Sequence, residues 1–193
     1  NNASLVKTIN ILFCLFPLSI IVGNFSINLN LFLFCICGIL YLKFKIISIK
    51  FDFASKIIFS FFLILFVSTL FNFLVNNKYV IDGSSLTDNV VLFKSIFFLR
   101  FFLLFLIIYY LSSHNILNLK YFLISITFLT TVISLDIIFQ YILGFNIIGL
   151  KNIDPRHYSG FFGSELVAGG YLQNFSFFSI FFINFLFKKQ KIL

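Results

Sequence analysis

Hydrophobic positions in this chain come in long runs, and none keeps the two-residue alternation of a half-buried strand. Six apolar runs stand out, at about residues 9–22, 27–42, 57–75, 95–111, 122–143 and 171–187. A membrane-crossing helix needs roughly 17–25 residues, and the last four runs meet that with little adjustment. The first two are shorter and are parted only by Gly23-Asn24-Phe25-Ser26, which predicts a tight helical hairpin. Lys7 precedes the first run as it would in a signal peptide. No small-x-small cleavage site follows, however, and a second apolar run begins at once. A retained first span is the expectation. The pattern predicts an all-α, polytopic transmembrane helical bundle of about six spans over residues 1–193.

The basic residues fall between these runs and give the predicted bundle an orientation. With Lys7 in the cytoplasm, the inner segments hold Lys7, Lys43, Lys45, Lys50, Lys56, Lys120, Lys188, Lys189 and Lys191, nine in all. The outer segments hold four, Lys78, Lys94, Lys151 and Arg156, and Arg100 is left inside the fourth run. That asymmetry follows the positive-inside rule. It puts both ends of this chain in the cytoplasm and two outer loops at about residues 76–94 and 144–170.

Composition narrows the class further. Hydrophobic residues make up 61% of the 193 and charged ones 10%, against roughly 25% charged in an ordinary soluble domain. A soluble fold of this size has nowhere to hide so much apolar side chain. The bias to Phe (33 residues), Ile, Asn and Lys reads as nucleotide composition. Net charge is +8, yet the basic residues form no patch interleaved with stacking aromatics, so nucleic acid is not an expected partner. Cys14, Cys35 and Cys37 all sit inside apolar runs, and an odd count argues against a disulfide framework. Cys35-Ile36-Cys37 has no accompanying His or second pair, so these thiols read as helix-packing residues, with no metal site expected. The chain contains no Met, so residue 1 is not an initiator, and the expectation is a portion of a longer protein.

The two outer loops differ. Residues 76–88 read as an ordinary polar connector. Residues 144–170 hold six of the nine glycines, Gly144, Gly149, Gly160, Gly163, Gly169 and Gly170, together with Arg156, His157 and Glu165. Glycine permits backbone shapes that other residues resist and lets a ligand approach the main chain. Arg156 offers a planar fork of donors suited to phosphate oxygens, and His157 can move a proton near neutral pH. Equally, Arg156 could snorkel to lipid headgroups beside a solvated His157. Glu165 reads as a base or as an acid favouring the start of the next helix. Arg100 carries an intramembrane charge, which usually faces a cavity or a partner. Asp136 and Gln140 lie one turn apart on one face of the fifth span, so Arg100 could pair with Asp136 or help hold an anionic headgroup. His114, with Ser112, Ser113 and Asn115, reads as a solvated inner loop.

The stretch from Asp136 to Leu172 resembles the O-antigen ligase and polymerase family of bacterial membrane glycosyltransferases. Asp136-x-x-x-Gln140-Tyr141-x-x-Gly144-x-x-x-x-Gly149 is similar to the family's helix end leading into its outer loop. Arg156-His157-Tyr158-Ser159-Gly160-Phe161-Phe162-Gly163 resembles its Arg-x-x-Gly-x-Phe-Gly element, and Glu165-Leu166-Val167-Ala168-Gly169-Gly170-Tyr171-Leu172 the start of the next span. These motifs cover under a fifth of the chain. Ser164-Glu165-Leu166 stands where many members have an Asn-Pro-Asn-like sequence, which leaves the subgroup open. The resemblance implies transfer of a glycan from a polyprenyl-diphosphate carrier to lipid A–core or to another glycan acceptor. That transfer would take place on the periplasmic side of the inner membrane and without a cofactor. It assigns diphosphate binding to Arg156 and Arg100, support to Asp136, Gln140, Gly160 and Gly163, and leaves His157 and Glu165 as weak candidates for the catalytic base. The family's main catalytic loop lies further along a longer chain, so this portion would be inactive alone. The rival expectation is a transporter or flippase segment for an anionic or lipid-linked substrate, with Arg100 and Asp136 marking its path. No internal repeat between the two groups of three spans favours that reading.

Overall fold

The computed structural model describes residues 2–43, 52–74, 79–81, 84–86, 88–151, 158–163 and 167–190, without side chains at 79–92 and 184–190. Among the described residues six helices carry the fold: α1 (Asn2–Val22), α2 (Asn24–Leu42), α3 (Phe53–Leu74), α4 (Asp88–Ser113), α5 (Leu119–Leu143) and α6 (Ala168–Gln190). Five of them contain a stretch long and apolar enough to cross a bilayer, namely α1, α2, α3, residues Phe93–Ser113 of α4, and α5. The sixth, α6, is 23 residues long and the least apolar, with Gln173 and Asn174 in its first half. Large side chains stand outward along the helices, among them Phe25 (81% exposed), Leu74 (70%) and Ile142 (70%). Such surfaces are unfavourable in water and unremarkable in hydrocarbon. The chain is therefore a multi-pass helical membrane protein.

Three local features depart from the simple run pattern. Helices α1 and α4 begin about seven residues before their apolar runs, because backbone hydrogen bonding continues past the Lys7 and Lys94 that interrupt the apolar pattern. Between α1 and α2 the break is Gly23 alone: its N–H closes α1 on Ser19 O (3.2 Å), and its carbonyl accepts from Ile27 N–H (3.1 Å) to open α2. A φ of +118° there is open to glycine and closed to most side chains. The connector after α3, expected to be plain polar loop, contains two three-residue antiparallel strands, β1 (Tyr79–Ile81) and β2 (Ser84–Leu86), with Tyr79 opposite Leu86. Tyr-Val-Ile is strand-forming, and Asp82-Gly83 is the dipeptide favoured in two-residue hairpin loops.

The chain forms two compact units, Asn1–Cys37 with Leu117–Leu193, and Gly38–Ile116. In the first, α1 and α5 run in the same direction. Asn10 Oδ1 accepts from Asn118 N–H (2.6 Å) at their starts, and Ser125 Oγ donates to Cys14 O (2.8 Å) a turn further on. The Phe13 and Phe122 rings stack between these points at 4.2 Å. Helix α6 runs the opposite way. Its first turns meet the end of α1, where Tyr171 OH donates to Pro17 O (3.3 Å), and Ser179 meets Thr130 on α5 through their hydroxyls (3.0 Å). Helix α2 folds back on α1, with Phe34 against Phe13 and Phe16 and Asn30 Nδ2 donating to Leu12 O (3.2 Å).

In the second unit, Asp52 caps α3 by accepting from Ser55 N–H (2.9 Å). Helices α3 and α4 pack through phenylalanines, Phe62 against Phe98 and Phe102 and Phe59 against Phe102, with ring centroids 5.5–5.6 Å apart. That order makes the pair antiparallel. The last turn of α2 approaches α4 at Gly38, where a β-carbon would stand 2.5 Å from Ile107 Cγ2. Only the missing side chain allows so close a backbone approach.

Candidate functional site

Helix α5 ends in a sequence that builds a polar knot inside an apolar unit. Gly144 takes φ +79° and ψ −1° and donates its N–H to Gln140 O (2.9 Å), stopping the helix. Phe145 pairs with Lys151 in an antiparallel bridge, and between them Asn146 organises a turn. Its Oδ1 accepts from Ile148 N–H (3.1 Å) and Leu150 N–H (2.7 Å), while its carbonyl accepts from Gly149 N–H (2.9 Å). This is the side-chain-to-backbone turn that Asn favours.

The second half of the loop is then pinned onto α5. Residues Gly160–Phe162 form one 3₁₀ turn, with Phe162 N–H donating to Ser159 O (3.1 Å). Gly160 N–H donates to Gln140 Oε1 (2.9 Å), and Gly160 O accepts from Asn146 Nδ2 (2.9 Å). Asp136 Oδ1 accepts from Ile147 N–H (2.9 Å). Asp136, Gln140 and Asn146 are all fully buried. Gly160 has φ +55°, and a β-carbon there would stand 2.9 Å from Asp136 Oδ2 and 3.3 Å from Ile137 Cγ1. Glycine is thus required twice, by its dihedral and by the carboxylate against it. The Tyr158 ring meets Tyr141 edge-on, and Phe162 packs on Tyr171 of α6.

Among the described residues, two buried polar atoms of this knot, Asp136 Oδ2 and Gln140 Nε2, find no hydrogen-bond partner. Rotating the amide of Gln140 does not cure this, since Gly160 N–H needs an acceptor where Oε1 stands. Buried unpaired groups are rare and call for an explanation. A single group that both donates and accepts, such as a hydroxyl, has the chemistry to satisfy an acceptor and a donor together.

A second polar feature lies along α5 and α6. A cleft of about 450 Å³ is lined by Thr130, Thr131, Ser134 and Leu135 on one side and Leu172, Gln173, Ser176 and Ser179 on the other. The three α5 hydroxyls donate to carbonyls one turn back at 2.8 Å. The Thr130 hydroxyl also meets Ser179 Oγ (3.0 Å), and the lone pairs of Thr131 and Ser134 remain to accept hydrogen bonds within the cleft.

Of the residues singled out from the sequence, the fold brings together Asp136, Gln140 and Gly160, with Gly163 closing the 3₁₀ turn at φ +62°. Arg100 belongs to the second unit, where it is exposed and its guanidinium carbon lies 4.9 Å from the Phe101 ring centroid. Arg156, His157 and Glu165 lie outside the described residues. His114 is exposed and stacks on Tyr110 at 4.0 Å. Asn146 was not singled out. Its signal was there in Asn-x-x-Gly directly after a helix-ending glycine. Among the described residues no group of three His, Cys, Asp or Glu side chains could hold a metal ion. Fold and site together define a polytopic α-helical membrane protein with a buried polar anchor for a glycine-rich loop. Comparison with family models, with curated proteins and with solved structures finds no match to this chain.

Proposed function

We propose that this chain acts in a membrane glycosyltransferase of the O-antigen ligase or polymerase type. The reaction would move a glycan from a polyprenyl-diphosphate carrier to lipid A–core or to a carrier-linked glycan. The observation that carries the reading is the anchoring of Gly160 by Gln140 and Asn146 against Asp136. Asp136, Gln140 and Gly160 of the resemblance motif are among the residues that hold this loop to α5. Lys151 and Tyr158, on either side of Arg156-His157, each have a fixed neighbour in Phe145 and Tyr141. Support also comes from direction: α1 and α5 run parallel and α6 antiparallel. Six alternating spans with cytoplasmic ends require that arrangement. In this reading residues 144–170 lie on the outer, periplasmic face of a bacterial inner membrane.

In this reading an acceptor hydroxyl attacks the anomeric carbon with inversion, and the bond to the diphosphate oxygen breaks. Arg156 offsets the charge that develops on the leaving diphosphate, a contribution that grows in a site shielded from water. The hydroxyl proton passes to a base, for which His157 and Glu165 are the candidates within this chain. Asp136, Gln140, Asn146 and Gly160 position the loop and touch no reacting atom.

The test is complementation. The gene is expressed in a strain lacking its own ligase or polymerase, and the surface glycan is examined by electrophoresis. The expected result is restored glycan, lost in Arg156→Ala. Restoration that survives Arg156→Ala removes Arg156 from its role. Absence of restoration together with measurable solute flux favours the transporter instead.

A further inference from the structure

At the end where α1 and α5 begin, the two parallel helices leave a groove of about 400 Å³ between them. It is lined by Lys7, Asn10, Ile11, Cys14 and Leu15 of α1 and by Tyr121 and Ser125 of α5. The volume falls in the range of roughly 300–1,000 Å³ usual for small-ligand pockets. Its floor is fixed by the Asn10–Asn118 and Ser125–Cys14 hydrogen bonds, which hold the helices at one separation. Above that floor the walls are apolar, with Ile11 51% and Leu15 40% exposed. At the mouth stand a Lys and a Tyr, both exposed. Lys120 follows in the same first turn of α5. No acidic residue occurs anywhere in α1, and the one acid of α5, Asp136, lies four turns away towards the other end.

We propose that this groove binds one anionic phospholipid. An acyl chain lies along Ile11, Cys14 and Leu15, and the phosphate meets Lys7 and the Tyr121 hydroxyl. The assignment follows from charge and shape together. An apolar slot open along the helices suits a hydrocarbon chain. A mouth bearing positive charge, with no carboxylate near it on either helix, suits an anionic headgroup over a zwitterionic one. Basic pockets between spanning helices are the established physical solution for such headgroups. Tyrosine and lysine at this depth have their polar tips at the interface and their stems in the apolar layer. The inference rests on the membrane class of the chain and is independent of the glycosyltransferase reading.

Native mass spectrometry of the full chain in detergent tests it, with phosphatidylglycerol and phosphatidylcholine of matched chains offered at equal concentration. Phosphatidylglycerol is expected to be retained preferentially, in a one-to-one complex. Lys7→Gln is expected to weaken its retention about fivefold, the effect of one basic residue near the surface, and to leave phosphatidylcholine unchanged. Ile11→Trp, which fills the slot, is expected to lower both lipids. In the unsubstituted chain, raising the salt is expected to shrink the preference by screening the headgroup contact. Equal retention of the two lipids, a preference indifferent to Lys7→Gln or to salt, or a lipid that Ile11→Trp does not displace would overturn the proposal.

Discussion

Replacing Gly160 by alanine adds one methyl group where the site has no room for it. The new carbon would lie 2.9 Å from Asp136 Oδ2 and 3.3 Å from Ile137 Cγ1. The oxygen has little freedom to retreat, because its carboxyl is fully buried and holds Ile147 N–H through the other oxygen at 2.9 Å. Two costs therefore add. A side chain at φ +55° costs about 1–2 kcal/mol, and overpacking costs about 1–3 kcal/mol more. Gly144→Ala isolates the first cost, since φ is +79° there and nothing lies within 4 Å of the added carbon. The reporters are native: Cys14 and Cys35 belong to the same unit, and Cys35 is buried. Thermal unfolding in detergent, followed by a thiol-reactive dye, then measures both variants. For a chain of this size about 1 kcal/mol shifts Tm by roughly 2–4 °C, so Gly160→Ala should melt roughly 2–12 °C below Gly144→Ala. In an Asp136→Ala background that excess should shrink to what the Ile137 contact leaves. Equal shifts for the two glycines, or an excess undiminished without the carboxylate, would refute the packing of Asp136 against Gly160.

Other parts of the fold give separate tests. Asn146→Ala removes the acceptor of two backbone amides and the donor to Gly160 O. Amide exchange at Ile148 and Leu150 should accelerate while that within α1 does not, and unchanged exchange would deny Asn146 its organising role. Gly38→Ala should cost about 1–3 kcal/mol by overpacking. Ile107→Ala, which removes all three atoms nearest the new carbon, should recover part of that loss in the double variant, as read from Tm. The Thr130–Ser179 contact (3.0 Å) should show a coupling of about 0.6 kcal/mol, the usual value between spanning helices. A double-mutant cycle of Thr130→Val and Ser179→Ala in detergent unfolding measures it, and a coupling near zero would mean the two hydroxyls do not meet.

Much of the helical content was legible in the sequence because bilayer thickness imposes a length that few soluble segments share. Asp136 and Gln140 were legible as a pair, since four residues on a helix return to the same face. Their target was not. Gly160 is 20 residues beyond Gln140, and only the folded loop brings its N–H to the amide. Which helices pair was also hidden. Apolar residues surround these helices on all sides, and in lipid that pattern does not mark the packed face. The union of α1 with α5 rests instead on small polar contacts, Asn10 with Asn118 and Ser125 with Cys14. From sequence these residues look like ordinary interruptions of an apolar run. The β1–β2 pair was missed for a different reason: six residues of strand are too short to display a period.

The contacts between α1 and α5 join residues 108 and 111 positions apart. Ribosomes elongate at roughly 5–20 residues per second, so α1 reaches the membrane roughly 5–20 s before its partner exists. Through that interval the side chain of Asn10 lacks Asn118, and the flank of α1 meant for α5 faces lipid or the insertion machinery. Helix α1 is thus completed only when α5 arrives. Slowing translation between α2 and α5 should lengthen the time during which α1 is open to proteolysis or to capture by membrane chaperones.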